Sequence, residues 1–74
     1  MAEQRLTSFS EMAEVINDLP IILRNARRAR GSSVREVGTE IGVSASTISR
    51  MENGEEFSSV SLVAVLKWLN GSGT

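Results

Sequence analysis

The sequence predicts an all-α fold, a compact bundle of about five short helices. Apolar residues recur every three to four positions along most of the chain, and no segment alternates convincingly as a strand. Helix-start and helix-stop residues also follow one another at short intervals. With 74 residues, the chain has room for one small domain. Folding at this size hides only about 60% of the unfolded surface, so a deep catalytic cavity is not expected.

The first predicted helix begins after Ser8, whose spacing to Glu11 fits a capping box. One face of this helix is apolar and carries Phe9, Met12, Ile16 and Leu19. Pro20 is expected either to begin a second helix or to kink the first, because proline is tolerated only in a first helical turn. The second helix is predicted over about 20–30, where Gly31 ends it. Its inward residues are Ile22, Leu23 and Ala26.

Three more helices follow. Ser33 and Glu36 form a second capping box that opens a helix over about 34–41, which Gly42 ends. Ser44 caps a helix over about 45–52, and Asn53-Gly54 is a strong stop signal. The last helix, about 59–70, is more apolar than one inward stripe requires. Its expected inward residues are Leu62, Val63, Leu66 and Leu69, beside a second stripe of Val60, Ala64 and Trp68.

Several classes of site are excluded by composition. The chain contains no cysteine, histidine or tyrosine, which removes disulfides, zinc–thiolate sites and histidine acid–base chemistry. Glu55-Glu56 is the only adjacent carboxylate pair, and a solvated loop explains it best. We therefore expect no enzymatic activity, catalytic residue, metal, cofactor or small-molecule ligand. No membrane span and no secretory signal are apparent, so a cytoplasmic protein is expected.

The formal net charge of −1 conceals an uneven distribution along the chain. Residues 1–19 carry four acidic residues and one arginine, whereas residues 20–54 carry six arginines and three glutamates. Residues 55–74 carry two glutamates and one lysine. Arginine presents a planar fork of donors that matches phosphate oxygens and guanine edges. The basic middle segment is thus compatible with nucleic-acid binding, although arginines that only solvate a helix face remain an alternative.

Residues 33–54 read SVREVGTEIGVSASTISRMENG, which is a helix, a three-residue turn, a second helix and a glycine stop. The short Gly42-Val43-Ser44 turn forces the two helices to cross steeply and leaves the second one protruding. A protruding helix about 10–12 Å across fits the major groove of B-DNA. The free N–H groups at the start of the first helix, at Ser33, Val34 and Arg35, suit a phosphate.

Residues 20–70 resemble the helix-turn-helix domain of phage repressors and Cro proteins, an XRE-like, lambda-repressor-like family found in many small bacterial regulators. The matching residues are Leu23-Arg24, Arg27, Gly31, Ser33, Glu36, Val37, Ile41-Gly42-Val43-Ser44, Thr47-Ile48-Ser49 and Glu52-x-Gly54. The resemblance implies a recognition helix over about 45–52. It also implies an internal ion pair between Arg27 and Glu52, and core positions at Val37, Ile41, Val43, Ile48 and Met51.

The same resemblance assigns residues to DNA. The base-reading candidates are Ala45, Ser46, Ser49 and Arg50, of which Arg50 is long and bidentate enough to contact guanine or, alternatively, to clamp a phosphate. The DNA-backbone candidates are Ser33, Val34, Arg35, Ser44, Thr47 and Asn53.

Three positions depart from the family pattern. Val34 replaces a common glutamine, Gly38 replaces the usual alanine where the two motif helices cross, and Ser32 replaces a leucine. Residues 1–18 have no counterpart in the minimal pattern.

The expected organisation is an acidic N-terminal helix over 1–19, a helix-turn-helix domain over 20–70 with its motif at about 33–52, and a flexible tail over 71–74. The N-terminal helix is expected to pack on its own domain or to contribute to a dimer. The stripe of Val60, Ala64 and Trp68 is a second candidate for a homodimer interface.

The leading functional hypothesis is a sequence-specific double-stranded DNA-binding transcriptional regulator, repressor-like or Cro-like, that occupies a pseudo-palindromic operator. A protein-interaction module of the same fold, acting as an antitoxin or antirepressor, is the alternative.

Overall fold

A computed structural model of the chain describes residues 8–72 and contains four helices and no strand within that range. Helix α1 spans Phe9–Ala29, α2 Val34–Ile41, α3 Ala45–Glu52 and α4 Ser59–Ser72. The prediction of an all-α fold is therefore confirmed. The expected number of about five helices is wrong, because the first two predicted helices form one helix of 21 residues.

Helix α1 is continuous through Pro20, which lies inside it. Proline has no N–H group, so the bond from position 20 to the carbonyl of Ile16 is missing, a defect that costs roughly 3 kcal/mol in a helix interior. Leu19 and Leu23, on either side of the proline, are completely buried. Their burial, worth roughly 1.5–3 kcal/mol for each side chain, offsets the local penalty and keeps the two segments in one helix.

The helix boundaries follow from side chains close in sequence. Ser8 with Glu11 and Ser33 with Glu36 form complete capping boxes at the starts of α1 and α2. The hydroxyl of Ser44 accepts the N–H of Thr47 at 3.1 Å and caps α3. Helix α2 ends at Gly42, whose φ of 92° is in the left-handed region that glycine adopts without strain. These caps hold two helices of eight residues each at a fixed, tight turn.

The core is formed where the C-terminal half of α1 meets the other three helices. Six apolar side chains are fully buried there: Leu19, Leu23, Val37, Ile48, Met51 and Val65. Seven partly buried apolar residues surround them: Val34, Ile41, Val43, Phe57, Leu62, Trp68 and Leu69. A helix of eight residues is marginal on its own in water, so α2 and α3 depend on this core for their stability.

The expected inward face of α4 is partly wrong. Val65 is its fully buried residue, and Leu62 and Leu69 pack against the core, whereas Val63 and Leu66 are exposed. Apolar residues occur almost all around α4, so their spacing in the sequence did not specify which side faces inward. The helix also includes Gly71 and Ser72, part of the expected tail, whereas 73–74 lie outside the described residues.

The N-terminal turns of α1, residues 9–18, are exposed at every position and are called the overhang below. Met12, Val15 and Ile16 line an apolar hollow together with Leu66 of α4. The overhang therefore does not enter the core that its own domain forms. None of the described helices combines the length and apolar character that crossing a bilayer requires.

Gly38 lies where α2 and the start of α3 approach each other most closely. It is buried, and a Cβ atom at this position would lie 2.6 Å from the carbonyl oxygen of Val43 and 3.3 Å from the backbone nitrogen of Ala45. The carbonyl of Gly38 also accepts the N–H groups of Gly42 and Val43, at 2.7 and 2.9 Å. The departure from alanine at this position thus permits a tighter crossing of the two motif helices.

We predict that Gly38→Ala destabilises the protein by about 1–3 kcal/mol, because the backbone must shift to admit a methyl group. This loss exceeds the gain of up to about 1 kcal/mol that alanine brings to a helix interior. Gly71→Ala is the matched control, since Gly71 is helical and its added Cβ would meet no atom within 4 Å. Urea denaturation followed by circular dichroism measures both. Equal or greater stability of Gly38→Ala would contradict the steric interpretation.

Candidate functional site

Helix α3 has one buried and one exposed face. Ile48, Met51 and Glu52 are buried against the rest of the domain, whereas Ser46 and Arg50 on the opposite side are exposed. Asn53, which ends the helix, is exposed as well. The side chains predicted to read bases are therefore divided, because Ser46 and Arg50 lie in solvent and Ala45 and Ser49 are half-buried at the edges of the face.

The N-terminus of α3 carries a cluster of hydroxyl groups. The Ser44 hydroxyl lies 2.8 Å from that of Thr47 and 3.1 Å from that of Ser46. Ser44 and Ser46 are exposed, and Thr47 is half-buried. Hydroxyl groups both donate and accept hydrogen bonds, so this end of the helix can bond either a phosphate oxygen or a base edge.

The start of α2 is less open to an anion than expected. The N–H of Ser33 donates to the carboxylate of Glu36 at 2.7 Å, and the Ser33 hydroxyl accepts the N–H of Glu36 at 3.1 Å. The capping box therefore occupies one of the expected donors and places a negative charge at this helix end. Val34 packs its side chain against the core, so its contribution to phosphate binding is limited to its backbone N–H. Arg35 is exposed beside it.

The structure brings Arg27 and Glu52 together in a bidentate ion pair. The Nε atom of Arg27 lies 2.6 Å from Glu52 Oε2, and one of its terminal nitrogens lies 2.9 Å from Oε1. The Arg27 side chain is 17% exposed and that of Glu52 is 5% exposed. The hydrogen bond to Glu52 raises the pKa of Arg27 above its ordinary value, although burial acts in the opposite direction. The guanidinium thus stays charged at every pH of practical interest.

The same arginine also fixes the segment before α2. Its other terminal nitrogen donates to the carbonyl of Ser32 at 3.0 Å. The side chain of Ser32 is partly buried, and this hydrogen bond ties its backbone to α1. One guanidinium therefore links α1, the α1–α2 connection and the end of α3.

Arg24 also contacts Glu52, which the sequence analysis did not predict. It donates to the backbone carbonyl of Glu52 at 3.1 Å, and its Nε lies 3.7 Å from the Glu52 carboxylate. This places a positive charge at the C-terminal end of α3, where it interacts favourably with the helix dipole. Arg24 and Arg27 are about one helical turn apart and therefore lie on the same side of α1. This spacing could have indicated that both arginines reach Glu52.

A smaller polar cluster joins α2 and α4. The indole Nε1 of Trp68 donates to Glu40 at 2.8 Å, and Arg30 lies 3.6 Å from Glu40 and 5.1 Å from the centre of the Trp68 ring. Trp68 is also half-buried and packs against the core. Among the residues proposed for a dimer interface, Trp68 thus has partners within the chain. Val60 is exposed and Ala64 is half-buried, and both line a groove between α2 and α4.

The edge of the exposed α3 face is acidic. The backbone N–H of Glu55 donates to the carbonyl of Arg50 at 2.9 Å, which folds the next residues back against α3. Glu56 lines a hollow together with Thr47 and Arg50. Negative charge therefore borders the positive charge of Arg50. Within residues 8–72, no group of three or more carboxylate side chains is placed to hold a metal ion.

The model of a family described as a helix-turn-helix domain matches residues 21–70. No curated protein and no solved structure matches the chain.

We predict that Arg27→Met destabilises the protein by roughly 3 kcal/mol, because it leaves the buried carboxylate of Glu52 without its bidentate partner. Arg30→Met is the matched control, since the Arg30–Glu40 pair is more than 40% exposed on both sides, and exposed pairs contribute about 1 kcal/mol or less. Thermal and urea denaturation measure both variants. Similar losses for the two would show that the Arg27 pair is not a special structural link.

Proposed function

The chain belongs to the helix-turn-helix domain family, and on that premise we propose that it is a sequence-specific double-stranded DNA-binding transcriptional regulator. It acts in the repressor-like or Cro-like manner, by occupying an operator with α3 in the major groove. The proposed reading domain comprises residues 20–70, and the proposed setting is the cytoplasm of a prokaryotic or phage-infected cell.

The observation that carries this proposal is the division of α3 into a buried and an exposed face. The buried residues Ile48, Met51 and Glu52 fix the helix on the domain, and polar side chains remain on the opposite side. A helix held in this way can enter the major groove as a rigid element. The N-terminal hydroxyl cluster then lies at the end that meets base edges in this family of motifs.

We assign the base contacts to Ala45, Ser46, Ser49 and Arg50. Arg50 and Ser46 are exposed and make the main contacts, whereas Ala45 and Ser49 contribute from the edges of the face. The contacts to the DNA backbone are assigned to Ser33, Val34, Arg35, Ser44, Thr47 and Asn53. Val34 contributes its N–H group alone, since its side chain faces the core.

Charge supports specific rather than indiscriminate binding. Arg27 and Arg30 are paired with Glu52 and Glu40, so ion pairs within the protein neutralise part of the positive charge of the middle segment. Arg35 and Arg50 are exposed and face solvent. These ion pairs and the acidic border beside Arg50 mean modest binding to arbitrary DNA, so that affinity depends on the contacts made at the operator.

We predict that selection from random duplex DNA enriches one sequence motif, pseudo-palindromic if two copies bind together. Arg50→Ala should weaken binding to the selected site by about 1–3 kcal/mol and relax the preference at one base pair, and Ser46→Ala should act in the same direction. Lys67→Ala is the charge-matched control, because Lys67 lies on α4, on the groove shared with α2. Enrichment of no motif even at low salt would reject this proposal and favour a protein partner.

Arg35→Ala should act differently from Arg50→Ala. If Arg35 contacts a phosphate, its loss weakens binding equally for all sequences and lowers the slope of log K against log salt by about 1. Titrations at several salt concentrations on the selected site and on unrelated DNA measure this. A loss confined to the selected site would instead assign Arg35 to base reading.

A further inference from the structure

The apolar face of the overhang belongs to a regular repeat. Phe9, Met12, Ile16, Leu19, Leu23 and Ala26 follow one another at alternating spacings of three and four residues. This is the spacing of a and d positions in a heptad, which forms a seam between packed helices. Leu19 and Leu23 fill that seam inside the domain, where both are fully buried. The first three members continue the seam beyond the domain and are exposed.

We propose that the overhang is a self-association surface, on which residues 9–18 of one copy pair with the same residues of a second copy. Leu66 of α4 lines a hollow beside this face, and none of residues 9–18 is buried. Phe9 is 88% exposed there. In this pairing, the seam that α1 forms with its own domain continues as a contact with a second chain.

The distribution of charge favours a second copy over a partner of opposite charge. Glu11, Glu14 and Asp18 occupy heptad positions c and f, on the side of α1 opposite the seam. The positions that flank the seam, e and g, hold the uncharged residues Ala13 and Val15. Charges at e and g determine partner choice in paired helices. Because e and g carry no charge, two identical overhangs place no like charges directly across the seam, and a basic helix gains no ion pair there.

The overhang also has a shape that fits itself. Met12, Val15 and Ile16 form an apolar hollow with Leu66, and Phe9 projects from the same helix two turns away from Ile16. One surface thus provides both a projecting side chain and a hollow, which is what a two-fold symmetric interface requires. An antiparallel arrangement of the helices places the two domains at opposite ends of the pair.

Analytical ultracentrifugation of the whole chain tests this proposal without DNA, so its outcome is independent of the proposed function. The wild type should sediment with twice the mass of one chain at high concentration. The double variant Phe9→Gln/Met12→Gln should weaken self-association by about a hundredfold or more, because two apolar side chains in each copy lose their burial. Both substitutions preserve charge.

Two controls make the result specific. Glu14→Gln alters the opposite side of the overhang, and Val60→Gln alters the exposed face of α4, so both should associate like the wild type. Circular dichroism and the emission of the single tryptophan, Trp68, should show that the double variant keeps its fold. A wild type that remains monomeric at millimolar concentration would overturn the proposal. So would an unchanged association of the double variant, or a loss of association in Val60→Gln.

Discussion

The arrangement of this domain depends on the ion pair that the carboxylate of Glu52 forms with Arg27. This carboxylate closes α3, it is almost completely buried, and the guanidinium of Arg27 holds both of its oxygens from α1. Arg24 binds the carbonyl of the same residue. Because α3 has eight residues and is not stable alone, its orientation is set by these bonds at one end and by the tight turn at the other. The exposed face of α3 is therefore the consequence of how its buried face is held.

The turn contributes an equally strict constraint. Gly42 adopts a left-handed conformation, and Gly38 brings α2 within backbone contact of the start of α3. The ion pair and this crossing fix opposite ends of α3, so neither a rotation nor a translation of the helix is possible without breaking one of them. This rigidity is what a surface that distinguishes one sequence from another needs, since loose side chains recognise many partners.

Local interactions were predictable from the residues themselves, whereas the one long-range contact that was expected, the Arg27–Glu52 ion pair, came from the family resemblance alone. The caps at Ser33 and Ser44 were correctly anticipated because each involves residues within three positions of one another. The continuity of α1 was only one of two outcomes expected at Pro20, since the rule for proline describes a local penalty and ignores the burial of Leu19 and Leu23 around it. The inward side of α4 was ambiguous because its apolar residues nearly encircle the helix. The bond between Trp68 and Glu40 spans 28 positions and leaves no periodic signal.

Pro20 divides α1 into two segments that differ in the free energy needed to unfold each of them locally. On its C-terminal side, Leu23 and the arginines that hold Glu52 tie the helix to the core, so its backbone opens only when the whole domain unfolds. On its N-terminal side, the overhang buries no side chain of its own, and the missing proline N–H breaks the ladder that would transmit cooperativity across the junction. In a single copy the overhang can therefore unwind and reform while the rest of the domain stays folded, as a separate cooperative unit on one continuous helix.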